Sequence, residues 1–226
     1  MGFRYLLMAV LHFAFAAGPL WPGPPALADE PSNDLIEKGR EVFLTVAGVG
    51  CAECHGRYAE GDLGIGPFNR GATEANIRGA LQKVDPMKII RDEMTDEKIV
   101  QVAAYFRWMG ELQLVKTMYK QGRFIANEVS IYPGTAIQLA VQNASFEPHT
   151  FASDPMGIKP FRVNSRDFGD LTWRAPDNEG VFELRCTDCG SDGKLTIRVS
   201  RSAKPHVPSR PVLKSQAATS SSEGGC

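Results

Sequence analysis

The sequence predicts two domains in series, a small all-α domain followed by a Greek-key β-sandwich. Apolar residues recur every three or four positions over residues 33–112 and every second position over residues 123–200. Turn-forming pairs such as Pro133-Gly134 separate the period-two stretches, a pattern typical of a sandwich of short strands. The chain has 226 residues, enough for two small domains in addition to terminal segments.

The first element, residues 1–28, is predicted to be a cleaved secretory signal peptide. Arg4 precedes an apolar run from Tyr5 to Ala17, and Ala26-Leu27-Ala28 forms a small-x-small cleavage site. The apolar run is too short to cross a bilayer comfortably. We therefore expect export to the periplasm and no stable membrane span after cleavage.

Three helices are predicted in the all-α domain, residues 33–112. The first is defined by one apolar face, made of Leu35, Ile36, Gly39, Val42, Phe43 and Val46. A shorter helix is expected over residues 73–84. The last begins at Thr95, whose side chain can cap it, and stops at Gly110.

The β domain, residues 123–200, is defined by alternating stretches such as Ile137, Leu139 and Val141. Residues 113–122 are polar and are predicted to be a partly exposed linker. Residues 201–226 are rich in Ser, Pro, Ala and Gly and are predicted to be a disordered tail, because they cannot bury enough apolar surface to fold.

The run Cys51-Ala-Glu-Cys54-His55 is the attachment signature of a c-type haem. Cys51 and Cys54 can each form a thioether with the porphyrin, and His55 can bind the iron as its proximal ligand. The sequence thus predicts one covalent haem c per chain.

Residues 33–112 resemble a class I c-type cytochrome. The resemblance rests on the attachment run, on Gly66-Pro67 and on a final helix that contains Tyr105-Phe106. It implies that the Pro67 carbonyl orients His55 by accepting its free ring N–H. It also implies that the first and last helices cross near Gly39, Phe43 and Tyr105.

In this family the sixth iron ligand is a methionine thioether. The mature chain offers Met87, Met94, Met109, Met118 and Met156. We predict Met87, which follows Asp85-Pro86 and precedes the last helix by a distance usual for the family. Met94 and an open iron position are the alternatives, and an open position would let small ligands bind.

Residues 123–200 resemble a cupredoxin. The matching pieces include Val141-x-Asn143, Glu147-Pro148-His149 and the Cys186-Thr-Asp-Cys189 run before a closing strand. A blue-copper centre uses two histidines and one cysteine with a weak axial ligand. Here Cys189 stands where the second histidine is expected. His149 is the only histidine in the sequence of residues 123–200.

Three interpretations of the second cysteine pair are open. Cys186 and Cys189 can form a disulfide, or stay as thiols, in a domain without metal. They can bind copper or another metal with His149 and either Met156 or an aspartate. They can also act as a redox-active dithiol. Cys226 has no evident partner.

The formal net charge of −1 argues against nucleic acid as a partner. The predicted function is single-electron transfer between a periplasmic dehydrogenase or cytochrome and a downstream acceptor, without enzymatic activity of its own. The alternative is an accessory subunit of a periplasmic redox complex, in which the β domain is a docking module or an atypical metal site.

Overall fold

The computed structural model describes residues 31–61, 63–190 and 193–202. The predicted signal peptide lies outside them, as does the predicted tail from residue 203 onward. The described residues fall in one compact unit, with helices up to residue 111 and strands from residue 113. None of the helices in this part of the chain has the length and apolarity that a membrane span requires.

The described residues up to residue 111 form five α-helices, with short 3-10 turns at residues 46–48 and 85–87. The helices are α1 (Asn33–Thr45), α2 (Ala52–His55), α3 (Glu74–Lys83), α4 (Lys88–Arg91) and α5 (Asp96–Glu111). The three predicted helices correspond to α1, α3 and α5. The two additional helices are single turns of four residues, too short for a periodic apolar pattern to reveal.

Side-chain caps fix where the three long helices begin. The Ser32 hydroxyl accepts a hydrogen bond from the Leu35 N–H, and the predicted cap at Thr95 is confirmed by its bond from the Lys98 N–H. Thr73 and Asn76 form a reciprocal capping box at α3. Each cap satisfies a backbone donor that would otherwise lack a partner.

Helices α1 and α5 pack against each other at Gly39. A Cβ atom built there would overlap the Gln101 carbonyl oxygen and lie 2.8 Å from the Tyr105 Cβ. Beside this contact, the Phe43 ring lies 5.6 Å from the Tyr105 ring and 5.5 Å from the Phe106 ring. The predicted crossing near Gly39, Phe43 and Tyr105 is therefore present.

We expect Gly39→Ala to lower the free energy of unfolding by about 1–3 kcal/mol, because the added methyl group overpacks this crossing. Gly79→Ala is the matched control. Gly79 lies inside α3, and a Cβ there meets no heavy atom within 4 Å, so alanine should raise stability by about 0.5–1 kcal/mol. Denaturant unfolding measures both values, and equal effects of the two changes would contradict close packing at Gly39.

The second half is a β-sandwich of nine described strands in two sheets. One sheet has the order β2-β1-β4-β7 and the other the order β3-β9-β8-β5-β6. The strands are β1 (Gln113–Lys120), β2 (Arg123–Phe124), β3 (Glu128–Ile131), β4 (Ala136–Asn143), β5 (His149–Ser153), β6 (Ile158–Val163), β7 (Phe168–Arg174), β8 (Gly180–Cys186) and β9 (Lys194–Val199). Apolar side chains of both sheets, such as Leu139 and Leu195, form one core between them.

The prediction of a linker at residues 113–122 is wrong over most of its length. Gln113–Lys120 form β1, which pairs in parallel with β4 from Gln113↔Ile137 to Tyr119↔Asn143. The polar side chains that suggested exposure have partners inside the protein. For example, Gln113 bonds to the backbone of Ser130 and Tyr132.

The helical half covers the outer face of the sheet that contains β4. Residues Tyr58, Leu114 and Ala140 form a small buried cluster there, with the Phe168 ring against it. Burial on both faces explains why Gln138 and Ala140, which alternate along β4 with Ile137, Leu139 and Val141, are only 1% and 0% exposed.

Arg70 is the central polar contact between the two halves. Its guanidinium donates to the carbonyl oxygens of Tyr58, Met109 and Leu112 and, at 2.9 Å, to the side-chain oxygen of Gln138 on β4. Burial lowers the pKa of Arg70 to about 10, so the side chain stays charged at neutral pH. Five guanidinium donors in a rigid fork allow one residue to satisfy all four acceptors.

A second buried contact joins the halves near Arg70. The Glu60 carboxylate, 3% exposed as a residue, accepts hydrogen bonds from the Tyr58 N–H and from Lys116 Nζ at 2.7 Å. Lys116 lies on β1, in the segment predicted to be a linker. The two halves therefore share buried polar contacts and are not joined by the chain alone.

Candidate functional site

The run predicted to attach a haem, Cys51 to His55, lies at α2. Cys51 precedes the helix, its N–H donates to the Phe43 carbonyl oxygen at 2.7 Å, and His55 ends the helix. Cys51 and Cys54 are free thiols, the first buried and the second half-buried. Burial raises the pKa of Cys51 to about 11. That thiol is therefore protonated at neutral pH and is a poor nucleophile by itself.

The His55 ring is fixed through one nitrogen. Nδ1 lies 2.8 Å from the Pro67 carbonyl oxygen and 3.0 Å from the Asn69 amide. Because a carbonyl can only accept, the contact to Pro67 assigns the proton to Nδ1. Nε2 therefore has a lone pair, and it is buried without a hydrogen-bond partner among the described residues.

Gly66 makes this arrangement of His55 possible. Its N–H donates to the Cys54 carbonyl oxygen at 2.8 Å. A Cβ at this position would lie 2.6 Å from His55 Nδ1 and 2.8 Å from that carbonyl oxygen. Only glycine lets the Gly66-Pro67 segment approach the ring closely enough for the Pro67 carbonyl to accept its proton.

An apolar cleft lies beside His55 and both candidate thioethers. Its lining residues come from α2 to α5 and include Cys51, His55, Met87, Met94, Val102 and Phe106. A larger cavity of about 540 Å³, lined by residues 64–72 and Asn76, shares Asn69, Ala72 and Asn76 with this cleft. The cleft at His55 itself measures about 60 Å³, so a cofactor bound at His55 would have to extend into the larger cavity.

The structure brings Met87 and Met94 to the same cleft and separates the other methionines from it. Met87 ends a 3-10 turn and is half-buried, whereas Met94 is 8% exposed and precedes the cap of α5. Met109 is fully buried, and Met156 lies in the core of the sandwich. Both candidates for the sixth ligand thus remain, with Met109 and Met156 accounted for by packing.

A second cluster of possible metal ligands lies in the β half. It contains His149 at the start of β5 and three residues at and after the end of β8, which are Cys186, Asp188 and Cys189. Their ligand atoms all lie within 4.8 Å of one another. Pairing of β5 with β8, with Phe151 opposite Cys186, brings together residues about forty positions apart in sequence.

Cys186 and Cys189 form a disulfide with a Cα–Cα distance of 5.4 Å. Asp188 lies against it, with Oδ1 3.1 Å from Cys186 Sγ and 3.7 Å from Cys189 Sγ. Because neither sulfur of a disulfide carries a proton, these are close contacts. They can become S–H hydrogen bonds only when the pair is reduced.

The Asp188 carboxylate is held in place from the other side. It accepts the Thr150 N–H at 3.1 and 3.2 Å, and His149 Nδ1 lies 3.3 Å from its Oδ1. Burial acts to raise the pKa of Asp188, but the hydrogen bonds from Thr150 and His149 outweigh it and lower that pKa. The side chain is thus an oriented carboxylate at neutral pH.

Sequence reasoning singled out Cys51, Cys54, His55, Pro67 and Met87 for the first site. The structure places Cys51, His55 and Met87 around one cleft and Pro67 in contact with the His55 ring, whereas Cys54 precedes His55 in α2 and does not line that cleft. Sequence reasoning did not single out Asn69 or Arg70. Asp188 was included only as an unnamed aspartate. Its position between Cys186 and Cys189 was the available signal, since a residue within a C-x-x-C loop must lie close to both sulfurs.

No family model matches this chain, and no curated protein matches it. Among solved structures it is similar to auracyanin B, with 18% identity and a TM-score of 0.34 over 39% of this chain and 88% of that chain. It is also similar to the periplasmic domain of cytochrome oxidase subunit II (CoxB) of Bradyrhizobium japonicum, with 18% identity and a TM-score of 0.34 over 40% and 85% of the two chains.

A third similar structure is auracyanin A, a "blue" copper protein from Chloroflexus aurantiacus, with 12% identity and a TM-score of 0.34 over 38% of this chain and 98% of that chain. These similarities concern the β half.

Proposed function

We propose that this chain is a redox protein that transfers single electrons in contact with other redox proteins, through a c-type haem bound by its helical half. The observation that carries the proposal is the buried His55 Nε2, which has no hydrogen-bond partner among the described residues and lies at a cleft that also presents the Cys51 thiol and two thioethers. A buried ring nitrogen without a partner is costly unless a ligand occupies it.

The residues of the cleft fit a haem in type and position. Cys51 and Cys54 would bind it covalently, and the Pro67 carbonyl fixes the tautomer in which His55 Nε2 offers its lone pair to the iron. When bound, the haem supplies a one-electron couple between ferrous and ferric iron. The apolar side chains around it would exclude water from the iron.

We propose Met87 as the sixth ligand, as the family resemblance implies. Met87→Ala is then expected to abolish the sulfur-to-iron charge-transfer absorption of the ferric protein and to lower its reduction potential, because thioether ligation raises the potential. Absorption spectra and a potentiometric titration measure both effects. An open iron site in this variant should also bind carbon monoxide in the ferrous state.

Met94→Ala is the matched control, because Met94 lines the same cleft. It should keep the charge-transfer absorption while losing some stability, since it removes a buried side chain. The opposite result, with absorption lost in Met94→Ala and kept in Met87→Ala, would assign the ligand to Met94. Carbon monoxide binding to the unaltered ferrous protein would favour the open-site alternative instead.

The cellular setting is also a proposal. Residues 1–28 have the charge and apolar pattern of a cleaved signal, and export would put the chain where haem attachment and disulfides are both found. We propose a periplasmic electron carrier without catalytic activity of its own. Amino-terminal sequencing of the secreted protein tests the cleavage after Ala28.

A second candidate is an accessory subunit of a redox complex. The observation that favours it is the buried contact of the β half with the helical half through Arg70 and Gln138, since a haem carrier alone needs no such attached sandwich. Purification from the native host distinguishes the two. A redox enzyme with its own cofactors, bound at one copy per chain, supports the subunit, whereas a monomeric cytochrome supports the carrier.

A further inference from the structure

The cluster at His149 offers the ligand types of a tetrahedral metal site. Reduced Cys186 and Cys189 would supply two thiolates, His149 an imidazole nitrogen and Asp188 a carboxylate oxygen. Zinc is bound by these donor types in four-coordinate sites. A blue-copper centre needs a second imidazole, and His55 is the other histidine in the described part of the chain, in the helical half.

The distances between the ligand atoms fit one ion. Bonds of about 2.0–2.3 Å in a tetrahedron require about 3.3–3.8 Å between ligand atoms. Cys189 Sγ and His149 Nδ1 are 3.3 Å apart, as are His149 Nδ1 and Asp188 Oδ1. Cys189 Sγ lies 3.7 Å from Asp188 Oδ1 and Cys186 Sγ 3.1 Å from it. For an ion to fit, the disulfide has to open so that its two sulfurs separate, and Cys186 Sγ has to move slightly away from Asp188 Oδ1.

Neighbouring groups orient these ligands, as they do in metal sites. The Thr150 N–H donates to the Asp188 carboxylate. The Tyr119 ring packs edge-on against the His149 ring, with centroids 4.9 Å apart. Gly193 leaves room for the pair, since a Cβ there would lie 3.0 Å from the Cys186 Cβ and 3.2 Å from the Cys189 Cβ. Contacts other than the sulfur–sulfur bond therefore hold the side chains of the cluster in place.

We propose that His149, Cys186, Asp188 and Cys189 form a zinc-class metal site that exists only while the cysteine pair is reduced. The disulfide and the metal compete for the same two sulfur atoms. The structure shows the oxidised form. Metal loading of the β half thus depends on the thiol–disulfide balance around the protein and is independent of the haem.

The exchange between the two forms is balanced with a dithiol as reductant. One thiolate of the dithiol attacks Cys189 Sγ, and Cys186 Sγ leaves as a thiolate. Attack occurs at Cys189 because that residue is half-buried, whereas Cys186 is buried. The second thiol of the reagent then displaces Cys189 and closes a cyclic disulfide. Two electrons pass to the protein, and its two thiolates bind one divalent ion.

The test uses the haem-loaded full chain with Cys226→Ser. Because Cys51 and Cys54 are then bound to the haem as thioethers, Cys186 and Cys189 are the only cysteines that can be reduced. The protein is reduced with a dithiol, desalted without oxygen and titrated with Zn²⁺. We expect one zinc per chain, with two sulfur neighbours at about 2.3 Å by X-ray absorption. Oxidised protein should bind none at this site.

Two substitutions make the result specific. Asp188→Asn should weaken zinc binding about ten-fold or more without affecting the disulfide, and Asp177→Asn, an exposed aspartate of the same half, should change nothing. Equal binding by the oxidised and reduced proteins would overturn the proposal, as would bound zinc without sulfur neighbours or full affinity in Asp188→Asn. Failure of haem attachment would be seen separately as free thiols at Cys51 and Cys54.

Discussion

A chain with Cys51→Ser and Cys54→Ser is expected to contain no covalently bound haem when it is produced in a host that attaches haem to exported proteins. Cys51 lines the cleft that contains His55, Cys54 directly precedes His55 in α2, and both are free thiols, whereas serine cannot form the thioether bonds. Haem staining after denaturing electrophoresis measures the loss. The reduced c-type absorption should disappear with it.

The matched control is the chain with Cys186→Ser and Cys189→Ser. It loses a pair with the same C-x-x-C spacing but no histidine after it, and it lacks the disulfide of the β half. This protein should stain for haem as strongly as the unaltered chain. Covalent haem in the first variant, or its absence from the control while that control is folded, would contradict the assignment of the haem to Cys51 and Cys54.

Arg70→Ala is expected to lower the free energy of unfolding by about 3 kcal/mol. The change removes a donor from four acceptors, on Tyr58, Met109, Leu112 and Gln138. Leu112 is half-buried, and the Met109 carbonyl still accepts the Leu112 N–H, so Tyr58 and Gln138 lose most. Each unsatisfied buried group costs about 1–3 kcal/mol, and the relief from burying the charge offsets part of the sum. Denaturant unfolding measures the loss.

The same experiment tests whether Arg70 couples the two halves. Haem absorption follows the helical half and circular dichroism in the far ultraviolet follows both, so coincident transitions indicate one cooperative unit. We expect coincidence in the unaltered chain and separation in Arg70→Ala. Arg78→Ala is the control, because Arg78 pairs with Asp96 at the surface and such pairs contribute about 0–1 kcal/mol. Similar losses in both variants would contradict the role given to Arg70.

Local patterns predicted the long elements of this fold well. Capping residues and apolar faces marked α1, α3 and α5, and alternation marked strands such as β4. The linker prediction failed at β1 because Gln113 and Lys116 look solvent-exposed in sequence, yet their polar atoms bond across the sandwich and to the helical half. The same packing buries Gln138, which no local pattern could reveal.

The two candidate sites differ in how much of them the sequence contains. Three residues of the first site lie in one continuous segment, Cys51 to His55. Its proposed methionine ligand follows from a family resemblance. The sequence favours Met87 over Met94 as the sixth ligand, and the structure turns both side chains toward one cleft. The second depends on the pairing of β5 with β8, which places His149 beside Asp188 and Cys189. Residue spacing alone does not contain that information.

The most direct test of the proposed function is the intact mass of the exported chain together with its visible spectrum. The proposal predicts a mass equal to the mature polypeptide plus one haem, and a c-type spectrum that one electron per chain converts from ferric to ferrous. A mass equal to the polypeptide alone, in folded protein made where haem attachment is active, would contradict it.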